Sequence, residues 1–147
     1  MDKLVVSDDK ALLDQHRIYD FLTHQSTWAM GISLSVVQKS IQHSICIGAY
    51  LDGLQVGFCR VITDQATFAN LVDVMVWPEY RGMGISHRLM EAVSEHPALQ
   101  GVRRFTLATS DAHGLYQKYG FTALHKPQTF MEIYRPDIYQ RDTRETA

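Results

Sequence analysis

The sequence predicts an α/β domain, and three observations carry that reading. Two β-rich runs, Ile45 to Leu51 and Leu54 to Thr63, are joined by Asp52-Gly53. A two-residue Asp-Gly loop between such runs suits a type I′ hairpin turn. A nearly continuous apolar run from Asn70 to Val76 comes next, as expected of a strand covered on both faces. Directly after it come a Gly-rich loop and a segment with apolar residues at helical spacing.

The other elements fall into place around these. Leu4, Val5 and Val6 make a short first strand, and Ser7 or Asp8 can cap a helix over Lys10 to Thr23. A second helix is expected over Ser33 to Gln42, with Val36, Val37 and Ile41 inward. Asp73 interrupts the central strand, and simple alternation puts it on the face opposite Val72 and Val74. Gly84 to Glu95 reads as a helix with Ile85, Leu89 and Val93 on one stripe, ended by Pro97 and Gly101. Arg103 to Thr109 reads as a strand. Ser110 or Asp111 caps a short helix through Lys118, and Gly120 stops it in a left-handed conformation. Phe121 to Leu124 and Phe130 to Tyr134 are expected to pair as closing strands, and the polar tail from Pro136 to Ala147 is expected to fray.

Composition narrows the function classes. The chain has 147 residues, 46 % apolar and 20 % charged, with a net charge of −2. That suits one globular domain with a real core and no dedicated nucleic-acid surface. There is no signal-peptide pattern and no 18-residue apolar run, so a cytoplasmic protein without membrane contact is expected. The two cysteines, Cys46 and Cys59, fall in expected strands without metal-ligand spacing and read as small buried apolar groups. The histidines show no ligand spacing either, so no catalytic metal is expected.

The loop Arg81-Gly82-Met83-Gly84-Ile85-Ser86 opens a helix. Glycines let several backbone N–H groups converge on one ligand, and the helix adds its own unpaired N–H groups and positive dipole end. Such a place suits phosphate. A nucleoside-triphosphate loop would need a Lys after the glycines, and none is there. A dinucleotide fingerprint would need a third Gly where His87 stands, and an acid about 20 residues on, where the chain reads Arg103-Arg104-Phe105-Thr106.

The segment Val76-Trp77-Pro78-Glu79-Tyr80-Arg81-Gly82-Met83-Gly84-Ile85-Ser86 resembles the acyl-CoA-binding motif of the GNAT superfamily of N-acetyltransferases. A second segment, Leu115-Tyr116-Gln117-Lys118-Tyr119-Gly120-Phe121, resembles that family's Leu-Tyr-x-Lys-x-Gly-Phe stretch and lies about 30 residues downstream. The resemblance covers residues 3 to 135 as a single domain. It implies a mixed, mostly antiparallel sheet of six to seven strands with helices on both faces. It also implies acetyl-CoA as co-substrate. Val74, Met75 and Val76 would offer main-chain groups to the pantetheine arm, with one N–H polarising the thioester carbonyl. The backbone from Arg81 through Gly82, Met83, Gly84 and Ile85 to Ser86 would hold the diphosphate, with His87 and Arg88 one turn in.

The resemblance makes Tyr116 the candidate acid. A phenol near pKa 10 can protonate a thiolate of comparable basicity, with thiols near about 8.5. Asp73 is the candidate carboxylate that binds the acceptor's ammonium or accepts its proton through water, and its alternative is a structural aspartate satisfied by a backbone or arginine partner. Asn70 lies where some relatives carry a catalytic carboxylate, and an amide cannot serve as that base. Thr109 replaces the Asn commoner before the tyrosine. His113 suits a proton relay or a helix start. Trp28, Tyr80 and Phe130 either line an acceptor pocket or pack.

The function expected is direct acetyl transfer in a ternary complex to a primary amine of a small molecule, because no nucleophilic Cys lies in the motifs. The alternatives are a protein or peptide acetyltransferase and a CoA-binding sensor without turnover. In the resembled family edge strands often pair between subunits, which makes Phe130 to Tyr134 a candidate homodimer edge.

Overall fold

Sheet order follows chain order. In a computed structural model, which describes residues 3–140, five strands stand side by side: β1 (Leu4–Ser7), β2 (Ile45–Leu51), β3 (Leu54–Thr63), β4 (Phe68–Val76) and β5 (Arg104–Leu107). The first three neighbouring pairs are antiparallel and the last, β4 with β5, is parallel. The fold is therefore mixed and mostly antiparallel, as expected. Asp52 and Gly53 both have positive φ, 49° and 83°. They bring Leu51 opposite Leu54, as a type I′ turn does.

The described residues group into two units. One holds the chain up to Asp14 together with Ser40–Phe121, and so contains the whole sheet; the other holds Gln15–Lys39 and the residues from Thr122 onward. Four α-helices occur among the described residues: α1 (Gln15–His24), α2 (Leu34–Gln42), α3 (Ile85–Glu95) and α4 (His113–Gln117). None is long and apolar enough to cross a membrane.

In the first unit α3 lies across β1 to β4. It buries Ile85, Leu89, Met90 and Val93 against a core that includes Ile45, Ile47, Ala49, Val61, Ala69 and Leu71. At about 25 cal/mol per Å² of apolar surface, each such side chain contributes about 1.5–3 kcal/mol when fully buried. Gly57 makes the close approach possible: a Cβ there would lie 2.8 Å from Ile85 Cγ2.

The expected first helix is split. Residues Lys10–Leu12 form a 3₁₀ turn whose cap is Asp9, not Ser7 or Asp8; its Oδ1 accepts from the Ala11 N–H at 2.9 Å. Leu13 is extended, and the Asp14 N–H donates to Gln55 Oε1 at 2.8 Å, so α1 starts only at Gln15. Ser33 caps α2 by accepting from the Val36 N–H. Val37 and Ile41 are buried as expected, whereas Val36 is 41 % exposed. It stands about 100° round the helix from Val37 and so cannot share its stripe.

The closing strand pair does not form. Phe121 to Leu124 forms no strand, Pro127–Thr129 is a short 3₁₀ turn, and Phe130 to Tyr134 has no ladder bonds among the described residues. The sheet therefore has five strands, not six or seven. Alternation and β-propensity state what a segment can do, but a strand exists only when a neighbour takes its N–H and C=O groups. Residues Pro136 to Gln140, expected to fray, make a turn with Gln140 N–H bonded to Asp137 O. Gly31, at φ 89°, leaves room for the Tyr139 carbonyl, which would sit 2.8 Å from a Cβ. The remainder of the expected tail, 141–147, lies outside the described residues.

Candidate active site

The phosphate-type loop has the shape its glycines suggest. Pro78–Tyr80 makes a 3₁₀ turn after β4. Arg81 turns back, and its Nε donates to Val76 O at 3.0 Å, which closes the end of the strand. Gly82 and Gly84 both sit at φ 79°, with open space where a Cβ would point. Gly84 is the N-cap of α3, and no side chain caps that helix. The first bond into the helix is from the Arg88 N–H to Gly84 O. Among the described residues, the N–H groups of Gly82, Met83 and Gly84, and those of the first turn at Ile85, Ser86 and His87, have no backbone acceptor. A row of unpaired donors at a dipole's positive end attracts an anion.

His87 and Arg88, one turn in, are engaged elsewhere. His87 Nδ1 lies 3.1 Å from the Tyr119 hydroxyl. Arg88 faces Glu91 at 3.8 Å, both half-exposed, a separation that contributes little in water.

Beside the loop, β4 and β5 part. Their parallel pairing runs from Phe68–Arg104 to Leu71–Leu107 and stops. β4 continues to Val76, so Val74, Met75 and Val76 lie beyond the last pair with β5. The parting starts at a bulge. Phe58 pairs with Met75 and Arg60 with Val72, so Cys59 alone faces Asp73 and Val74. Asp73 takes φ 55°, a left-handed conformation that costs a non-Gly residue about 1–2 kcal/mol. The bulge also resets the alternation: Ala69 and Leu71 are in the core before it, and Val74 and Val76 point to the core after it. The simple period-2 placement of Asp73 opposite both Val72 and Val74 therefore fails at Val72.

Asp73 meets Arg60. Arg60 Nε donates to Asp73 Oδ2 at 2.9 Å, and Arg60 Nη1 donates to Ser44 Oγ at 2.9 Å. The two side chains are only 14 % and 9 % exposed. Sequence reasoning missed Arg60. The available signal was that Arg60 and Asp73 are the lone charged residues of β3 and β4.

Tyr116 is placed by α4, and Thr109 Oγ1 accepts from the Ala112 N–H, the N-cap residue, instead of the expected Ser110 or Asp111 caps. The tyrosine is 8 % exposed and belongs to the core cluster with Cys59 and Val76. Its ring stands edge-on to Phe121, 6.2 Å between centroids. Burial first, then the Cys59 and Asp111 charges, raise its pKa. No hydrogen bond engages its hydroxyl among the described residues. Gly120 is left-handed at φ 95° as expected.

The remaining candidates divide. Asn70 Oδ1 accepts from the Thr106 hydroxyl at 2.8 Å, a bond across the paired part of β4 and β5. His113 is the exposed first residue of α4. Cys46 and Cys59 are free and buried. Burial pushes the Cys46 thiol up to about 11 and moves Cys59 higher still, the reverse of an activated nucleophile. Tyr80 is half-buried in the first unit, while Trp28 (51 % exposed) and Phe130 (41 %) belong to the second.

A family model described as an acetyltransferase (GNAT) domain matches residues 42–123, which contain both the loop and Tyr116. The chain belongs to the GNAT acetyltransferases. A Gibberella zeae protein assigned as an acetyltransferase is 32 % identical over 136 residues, covering 78 % of this chain and 76 % of that protein. The crystal structure of a Xanthomonas campestris pv. campestris protein assigned to the same family superposes with a TM-score of 0.91 at 55 % identity, over 92 % of this chain and 96 % of that one. Glucosamine-6-phosphate N-acetyltransferase from Arabidopsis thaliana shares the fold at 12 % identity, with a TM-score of 0.62 over 90 % of this chain and 97 % of that one. This GNAT chain is thus an acyltransferase by family.

Proposed function

We propose that this chain transfers the acetyl group of acetyl-CoA to a primary amine of a small molecule, by direct attack in a ternary complex in the cytoplasm. The observation that carries this reading is the meeting of two unfilled backbone features. The Gly82-to-His87 donor row comes directly after the β4 segment that β5 has left. The row suits the diphosphate of CoA, with the Arg81-to-Ser86 backbone as its cradle. The β4 edge at Val74, Met75 and Val76 suits the amide-bearing pantetheine arm, which pairs with backbone as a strand would.

One N–H of that edge polarises the thioester carbonyl, a donor worth about 2.7–4 kcal/mol when aimed at a developing oxyanion. Tyr116 gives its proton to the departing sulfur. A phenol is protonated at neutral pH, burial raises Tyr116 further, and its hydroxyl is not tied to a protein partner. Asp73, paired with Arg60, draws the acceptor's ammonium. The engaged carboxylate is a better charge partner than base, so water carries off the amine proton. The buried, protonated thiols of Cys46 and Cys59 support direct attack over an acyl-enzyme.

The chain also pairs with a second copy through the Phe130-to-Tyr134 segment, where Met131 is 96 % and Ile133 84 % exposed, an apolar display that marks an interface. A solution mass of one chain would reject that pairing. Free-thiol release from acetyl-CoA tests the main reading across small amines, polyamines, amino acids, aminoglycosides and lysine peptides. Release with a small amine alone is expected. Release only with peptides would move the acceptor class to protein, and CoA binding without release would make the chain a sensor.

A further inference from the structure

We infer that Arg60 is a positioning residue for acetyl transfer: through Asp73 it holds the β4 bulge that keeps Val74–Val76 free of β5 and aimed at the acyl group. The inference rests on the function proposed above and assigns the part of the site that the family motifs do not contain.

Four observations converge. The bulge sits where the β4–β5 ladder ends, immediately after Leu71–Leu107. Its pivot, Asp73, holds a positive φ that glycine would adopt without strain. The only charged side chains of β3 and β4 meet there, Nε to Oδ2 at 2.9 Å, and Ser44 anchors the far side of the guanidinium. The pair is nearly buried, and a buried ion pair is seldom more stable than the apolar pair that could replace it. Strain and buried charge at one point of two otherwise uncharged strands are retained where a conformation has to be specified. A bulge next to an active site redirects the residues on its far side. In β4 those residues are Val74, Met75 and Val76, the backbone proposed to receive the thioester.

The test compares Arg60→Gln, Arg60→Lys, Asp73→Asn and Asp73→Gly at saturating acceptor. It reads kcat, the Kd of CoA by calorimetry, and the amide shifts of Val74–Val76. Arg60→Gln is expected to lower kcat about tenfold or more, with a smaller loss in the Kd of CoA, which the glycine loop shares with the β4 edge. Arg60→Lys recovers part of the loss. Asp73→Gly lacks the carboxylate yet adopts the bulge freely, so it keeps the amide shifts of Val74–Val76 near wild type where Asp73→Asn moves them. In the Asp73→Gly background, Arg60→Gln lowers kcat no further.

Amide shifts of Val74–Val76 that move as far in Asp73→Gly as in Asp73→Asn would show that the bulge conformation is not what the pair holds, and would overturn the inference. So would Arg60→Gln with unchanged kcat and unmoved amide shifts. A wild type that acetylates nothing rejects the proposed function, and in that case moved or unmoved amide shifts in Arg60→Gln still decide whether Arg60 holds the bulge.

Discussion

Two glycine turns in this chain use the same backbone freedom for opposite ends. At Asp52-Gly53 positive φ closes a hairpin, and the ladder resumes at once with Leu51 opposite Leu54. At Gly82 and Gly84 positive φ opens a row of N–H groups that no backbone acceptor takes up among the described residues. Space beyond the Cα is open at all three glycines. Conformation alone therefore does not separate a structural turn from a binding one. What separates them is whether the donors find partners inside the fold, because an unpaired N–H at a helix start remains available to an anion.

The strongest way to sharpen the contrast is to leave both turns intact and remove the chemistry they flank. Tyr116→Phe should lower kcat by about 10²- to 10⁴-fold, the range of a general acid, with the Kd of CoA unchanged. In wild type the raised phenol keeps its proton beyond the usual tyrosine range. The kcat profile should therefore hold to about pH 10 and fall only as pH rises through the raised value. An unchanged kcat in the variant would reject Tyr116 as the acid.

Next in size, Gly84→Ala forces a side chain into φ 79° at the helix N-cap. A penalty of about 1–2 kcal/mol should weaken CoA about tenfold in calorimetry. Equal affinity would place the phosphates elsewhere. The smallest effect is expected from Gly53→Ala, with the same backbone penalty of about 1–2 kcal/mol. It should lower Tm by several degrees in a thermal melt and leave the Kd of CoA as it was. If Gly53→Ala instead weakened CoA as Gly84→Ala does, the two turns would not differ in the way described.

The same contrast explains what was legible in the sequence. The hairpin and the loop were readable because turn chemistry is local: Asp52-Gly53 and Gly82-Met83-Gly84 state their own φ requirements. The α3 stripe was readable because Ile85, Leu89 and Val93 recur on one face. The Asp73 bulge was not, since a run that is apolar on both faces has no alternation whose interruption could show. Arg60 gave no local sign of its partner 13 residues away. The closing strands failed for a related reason. Phe130 to Tyr134 has the composition of a strand, but whether a neighbour pairs with it is decided elsewhere in the chain.

The sheet order also bears on how the chain assembles. From β1 to β4 the sheet follows the chain, and β2, β3 and β4 can zip by short turns with little loop-closure entropy at each step. β5 alone joins in parallel, Phe68 to Arg104, after a crossover that must carry α3 over the sheet. Non-local parallel pairing is intrinsically slow. On topology the β2-to-β4 meander is expected to form before the parallel pair, and because β5 pairs only as far as Leu107, the end of β4 stays unzipped. The wedge proposed to take the substrate is the part of the sheet that folding leaves unfinished.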